Sequence, residues 1–184
     1  MSKGRKHLLI ATAALFALFG AIGASRLLYL EEQGNFHAIT PGEAYRSAQL
    51  DKDEFEYYIR KFGLRSVINL RGKNDGERWY QEEAAVCRRF GIQHYDLGLS
   101  ADRAPSPRDL QTLIQIFHTA PRPVLIHCQG GADRSGLAAA LWQVVIDGKP
   151  KSEAGKQLSL IYGHMPLGPT QAMDAFFENW GKNK

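Results

Sequence analysis

The sequence predicts an α/β fold: a central, mostly parallel sheet flanked by helices, with a hydrophobic helix at its N-terminus. Three observations carry that prediction. From Phe36 onward, strand-like and helix-like segments alternate with Gly or Pro between them, and neither repeats nor low-complexity tracts interrupt the rhythm. Such alternation builds parallel sheets, because each crossover lays its helix on a face of the sheet. Pro123 to His127 (P-V-L-I-H) is an apolar run with a proline before it, as expected of a central strand buried on both faces. Gly63 and Gly91 each close a helical pattern, at the position where glycine takes a left-handed cap without a Cβ penalty.

The elements follow in order. Asp51 to Phe62 reads as a helix closed by Gly63, and Ser66 to Leu70 as a short buried strand leading into the loop Arg71 to Glu77. Trp79 to Phe90 is a helix stopped by Gly91, and Ile92 to Leu99 is the next strand. Ser100 to Pro107 (S-A-D-R-A-P-S-P) cannot continue that strand, since its two prolines lack ladder donors. Ser106, Pro107 and Asp109 then spell a helix start, running to about Thr119: hydroxyl N-cap, proline at the first position, acid at the third. After the strand Pro123 to His127, helices are expected over Ser135 to Asp147, Ser152 to Tyr162 and Thr170 to Trp180, the last two packing together on one side of the sheet.

At 184 residues the chain suits one domain, residues 31–184, behind an appendage of residues 1–30. The appendage holds Lys3, Arg5, Lys6 and Arg26 and no acid, so the formal charge of +4 lies wholly within it and the domain is formally neutral. That balance excludes nucleic acid as a partner, for which a basic face is required. Residues 8–24 are uncharged, and at ~1.5 Å per residue a helix of that length spans about 26 Å, close to the ~30 Å hydrocarbon core. Basic residues before it favour an inside N-terminus. Two expectations follow: a single-pass signal anchor with the main domain on the non-cytoplasmic side of the membrane, or a cleaved signal peptide that leaves the domain secreted or periplasmic. Cys87 and Cys128 are too few for a disulfide framework, and export would expose a reactive thiol to oxidation.

The chemistry concentrates in His127 to Gly136 (H-C-Q-G-G-A-D-R-S-G), between the buried strand and the following helix. A loop entering a helix N-terminus aims backbone N–H groups inward, where the helix dipole adds to their pull on an anion. Gln129, Gly130, Gly131, Ala132, Asp133 and Arg134 form that cradle; both glycines suit positive φ, and Gly136 allows close helix packing. The cradle favours the thiolate of Cys128. Arg134, returning from the far side of the loop, suits bidentate bonds to two phosphate oxygens. Ser135 is placed to bond the sulfur as a leaving group, and His127 to order the loop. Neither the histidines nor the cysteines have the grouping zinc needs, so no metal or other cofactor is expected.

Cys-x5-Arg-Ser after His resembles the phosphate-binding loop of the protein tyrosine and dual-specificity phosphatase superfamily. From about Ala44 to Trp180 the order of elements is similar to its compact dual-specificity-like members, including A-Y-R-S-A-Q (Ala44 to Gln49) and S-V-I-N-L-R (Ser66 to Arg71). The resemblance implies the cysteine-dependent phosphatase fold and a two-step reaction through a phosphocysteine. Its substrate would be a phosphorylated protein or a small phosphoester. It also implies a general acid on a mobile loop ahead of the nucleophile, which Asp102 fits better than Asp96, within a strand, or Asp109, a capping acid. Gln129 and Ala132 stand where phosphoinositide-preferring relatives carry lysines, which points away from inositol lipids. Arg71 and Lys73 follow a strand's C-terminal end and can bind further substrate charge or be solvated. Arg46 is read as a brace for a carboxylate in the core or as a residue approaching the site, Cys87 as a core residue or a redox partner of Cys128, His164 as a helix-ending or cleft residue. Asp133 is either part of the phosphate site or a tether to a neighbouring loop. One alternative is a catalytically silent phosphate-binding module on the same fold; another, a sulfurtransferase or arsenate reductase, is disfavoured by the Arg-Ser-Gly continuation and by the loop's position late in the chain.

Overall fold

The computed structural model describes residues 34–181 continuously, and between residues 7 and 28 it describes scattered helical positions that include 14–18. Lys3, Arg5, Lys6 and Arg26, on which the expected membrane orientation turned, lie outside the described residues. The single-pass anchor is corrected: among the described residues no helix is long and apolar enough to cross a membrane.

Five strands form one mixed sheet: β1 (His37–Thr40), β2 (Ala44–Ser47), β3 (Ser66–Asn69), β4 (Gln93–Asp96) and β5 (Val124–His127), in the spatial order β1-β2-β5-β3-β4. Only β1 runs antiparallel, paired with β2 at the edge. The other pairs are parallel, and their registers align Ser47 with His127, His127 with Asn69, and Asn69 with Asp96. All four strand ends therefore empty onto one edge, the position at which open α/β sheets bind ligands.

Alternation along β5 divides the core. Val124 and Ile126 face α3 (Pro107–Thr119) and α4 (Asp133–Val145), joining Leu113, Phe117, Leu137 and Trp142. Leu125 faces the opposite way, with Phe55 and Ile59 of α1 (Lys52–Phe62) and Val86 of α2 (Arg78–Phe90). Each such side chain contributes about 1.5–3 kcal/mol when fully buried. Burial on both faces explains why β5 has no polar alternation.

Local signals set most boundaries. Asp51 and Glu54 form a capping box at the start of α1, and Gly63 closes it at φ 63°. Gly91 ends α2 at φ 66°, and Ser106 caps α3 by accepting from the Asp109 N–H. Two expectations change. The strand from Ile92 shortens to Gln93–Asp96, because Gly98 crosses the chain leaving β3; a Cβ on Gly72 would lie 2.9 Å from Gly98 Cα. The helix over Ser152 to Tyr162 breaks into α5 (Lys151–Ala154) and 3-10 turns at Gly155–Gln157 and Leu160–Tyr162. There the Gln157 carbonyl accepts from Arg46 Nη1 at 2.7 Å, a partner no continuous helix ladder supplies. A last helix, α6 (Gln171–Asn179), packs on α4.

Candidate active site

Cys128 follows β5 directly and is 2% exposed. Its Sγ lies 3.5 Å from Ser135 Oγ, on the first turn of α4. No side chain caps α4, which leaves its first amides to the loop rather than to a capping oxygen. Arg134 Nη1 reaches the carbonyls of Leu70 and Leu99, each at 3.4 Å, while its Nε is buried with no hydrogen-bond partner. A buried guanidinium donor without an acceptor is costly in a protein interior.

The loop is braced from several directions. Arg46, fully buried, donates through Nη2 to the carbonyls of Gly131 at 2.8 Å and Ala132 at 3.0 Å, and through Nη1 to Gln157. Burial lowers its pKa to about 10, against the pull of Cys128, so it stays charged at neutral pH. The Gly131 and Ala132 carbonyls thus point to Arg46. Asn35, itself at φ 46°, donates to Gly130 O at 3.0 Å and Tyr162 O at 2.9 Å. Gly131 takes φ 70°, and a Cβ there would sit 2.5 Å from Ala48 N. Gly130 does not take positive φ, unlike the sequence expectation, and a Cβ there meets nothing within 4 Å. Gly136 packs as expected, its Cβ position 3.0 Å from Gln157 O and 3.1 Å from Arg46 Nη2.

Under the sulfur, on the opposite face, lies a network that the sequence did not reveal. Glu83 of α2 accepts from His94 at 2.8 Å and Gln49 at 2.8 Å, and meets His127 Nε2 at 3.1–3.2 Å. Burial opposes the Glu83 charge, but His127, His94 and Gln49 prevail and hold its pKa well below the carboxylate range. His127 Nδ1 turns to the Cys128 carbonyl at 3.4 Å. The Gln49 N–H bonds Gln129 O at 3.0 Å, so one carboxylate supports both ends of the loop's first half.

The remaining residues separate clearly. Asp102 is exposed on the loop after β4, its N–H bonded to Ser100 Oγ at 3.1 Å; Leu99, earlier on that loop, offers its carbonyl to Arg134. Asp96 is engaged by Asn69 and Tyr80, and Asp109 caps α3, so neither competitor faces the sulfur. Gln129 and Gly130 are exposed on the rim, and Ala132 is half-buried. Asp133 turns outward as a tether, 2.7 Å from His164 Nδ1. His164 is fully buried, and its other nitrogen meets Asp174 at 2.9 Å. Arg71 stacks on Trp79, whereas Lys73 pairs at the surface with Asp75. Cys87 and Cys128 are both free and join core clusters on opposite faces of the sheet, which removes the disulfide reading. Burial raises the Cys87 thiol pKa, so it stays protonated at neutral pH.

Comparison with known proteins agrees with this geometry. Residues 31–167 match the family described as "DSP-PTPase phosphatase fused to NAD+ Kinase". The chain is 31% identical over 100 residues to inositol diphosphatase SIW14 of Saccharomyces cerevisiae, covering 52% of this chain and 34% of that protein. It is 26% identical over 161 residues to the dual specificity protein phosphatase TpbA of Pseudomonas aeruginosa, covering 82% and 69% of the two. The chain thus spans about a third of SIW14 and about two-thirds of TpbA. The solved catalytic core of S. cerevisiae SIW14 superposes with a TM-score of 0.64 at 22% identity, over 82% of this chain and 87% of that one, a likeness of fold. With the family match covering most of the chain, and the Cys128 to Arg134 loop in place at the end of β5, the chain belongs to the protein tyrosine and dual-specificity phosphatase superfamily.

Proposed function

We propose that this phosphatase hydrolyses phosphate monoesters through a phosphocysteine on Cys128, with phosphoprotein or small phosphoester substrates. The observation that carries the reading is the convergence on one loop of a buried sulfur, a hydroxyl 3.5 Å from it, and a guanidinium with an unpartnered buried Nε. In the first step the thiolate attacks phosphorus and the P–O bond to the leaving group breaks. Asp102 gives its proton to the departing oxygen. Arg134 and the loop amides hold the phosphoryl oxygens as charge spreads onto them. In the second step Asp102, now a base, takes a proton from water, whose oxygen attacks phosphorus. The sulfur leaves as thiolate, stabilised by a hydrogen bond from Ser135.

The relatives bracket the substrate. One is named an inositol diphosphatase and the other a dual specificity protein phosphatase. Loop residues Gln129 and Ala132 supply no cation for an inositol ring's further phosphates, which supports the monoester reading. The test is hydrolysis of an aryl phosphate by the full chain, with acid quench and mass spectrometry of the Cys128 peptide. Turnover with a phosphate trapped on Cys128, and a Cys128→Ser variant that binds phosphate ester without turning it over, are the expected results. Binding without turnover by the unaltered protein marks a silent module. Activity on thiosulfate or arsenate alone would replace the proposal.

A further inference from the structure

Arg71 has no task in the chemistry above, yet its position is built. Its guanidinium carbon lies 3.6 Å from the centre of the Trp79 ring, close enough for cation–π attraction to orient it. Nη1 donates to Gln49 Oε1 at 3.3 Å, and the same Gln49 holds the phosphate loop through its backbone. The preceding residue, Leu70, offers its carbonyl to Arg134. Arg71 and Arg134 therefore occupy the same rim. Burial and then repulsion from Arg134 lower the Arg71 pKa, while Glu83, Cys128 and Glu77 oppose that effect. Glu83 does not quench the charge by contact, since its oxygens are engaged by His94, His127 and Gln49. Among the described residues no carboxylate forms a salt bridge with Arg71. Gln49, bonded to Arg71 through its side chain and to Gln129 through its backbone, holds this cation beside the loop that carries Arg134, where a guest with a second anion is favoured.

We propose that Arg71 is the specificity-determining residue of this site and receives a second anionic group, phosphate or carboxylate, borne by the substrate beside the phosphate that Arg134 holds. The proposal rests on the phosphatase reading and narrows its substrate class to esters with a second negative charge near the scissile phosphorus. An ester with one isolated phosphate leaves Arg71 in water and gains nothing from it. The planar fork also fits the role, because lysine neither stacks on Trp79 in the same way nor binds an oxyanion through two parallel bonds.

The experiment compares kcat/KM for phenyl phosphate and 3-carboxyphenyl phosphate, and inhibition by inorganic phosphate and pyrophosphate, in the full chain and in Arg71→Gln, Arg71→Lys and Trp79→Leu. The unaltered protein should prefer the doubly charged member of at least one pair, the esters reporting a carboxylate guest and the inhibitors a second phosphate. Arg71→Gln should cut that preference about tenfold, chiefly in KM or Ki. Arg71→Lys should restore part of it. Trp79→Leu, which leaves the guanidinium but removes its platform, should give an intermediate loss and serves if Arg71→Gln does not fold. Equal preference ratios in the unaltered protein and the variants overturn the role of Arg71 alone. An unaltered protein that hydrolyses neither ester overturns the phosphatase reading instead.

Discussion

His164 Nδ1 and Asp133 Oδ1 lie 2.7 Å apart, and this bond ties the chain after α5 to the first residue of α4. The imidazole is fully buried and also meets Asp174 at 2.9 Å. With a carboxylate at each nitrogen, the doubly protonated ring satisfies both partners, and loss of one proton leaves one carboxylate without a donor.

A pH dependence follows. Burial lowers the His164 pKa, but the bonds to Asp133 and Asp174 outweigh it, so the folded value is raised. A raised value means that its stabilisation is complete below the unfolded pKa of about 6.5 and is lost as pH rises through the folded value. Thermal midpoints measured from about pH 6 upward should decline for the unaltered protein, and His164→Gln should flatten that decline while lowering stability at the acid end. Equal slopes for the two would remove His164 from the account.

Glu83 should show the opposite sign. Its carboxylate pKa is depressed by His127, His94 and Gln49 despite burial. Its contribution is present above the unfolded value of about 4.3 and is lost as pH falls through the folded value. Glu83→Ala strands two imidazoles and an amide, and should cost about 3–5 kcal/mol in urea denaturation at neutral pH.

Two neighbouring glycines should respond differently to alanine. Gly131→Ala places a Cβ 2.5 Å from Ala48 N at φ 70°, a strain of at least about 1–2 kcal/mol before any clash. It should lower both stability and phosphate binding. Gly130→Ala meets no atom within 4 Å and should change stability by less than about 0.5 kcal/mol.

Ser135→Ala should slow the second chemical step more than the first, because the hydroxyl bonds the sulfur at 3.5 Å. Rapid mixing with an aryl phosphate is expected to show a burst of the phenol followed by a steady rate roughly tenfold or more below that of the unaltered protein. An unchanged steady rate without a burst assigns Ser135 a packing role.

Asp102→Asn separates leaving groups. If the exposed Asp102 protonates the departing oxygen, kcat should fall by about 10²–10⁴ for an alkyl or phenyl ester. The fall should be much smaller for para-nitrophenyl phosphate, whose oxygen needs no proton. A uniform loss across both esters points to another acid.

The loop from His127 to Gly136 stood out in the sequence because its reactive side chains are contiguous: cysteine, arginine and hydroxyl lie within ten residues. Arg46 was open between a brace for a core carboxylate and a place near the site; its partners are loop carbonyls instead of a carboxylate, and Asp133 bonds His164. Glu83 gave no signal, since a glutamate inside a helical pattern looks like any solvated residue until two histidines from other elements close on it. The single-pass expectation rested on an uncharged, apolar composition, whereas among the described residues no helix is long and apolar enough to cross a membrane.

Residues near one another in the chain thus determined the helix caps, the buried central strand and the phosphate loop, since each depends on backbone conformations and hydrogen bonds spanning a few positions. Tertiary structure alone decided which groups hold that loop. Asn35 reaches Gly130 across 95 residues and Arg46 reaches Gly131 across 85. Contacts of that separation leave no periodicity to read, because they exist only once parallel strands bring their ends to a common edge.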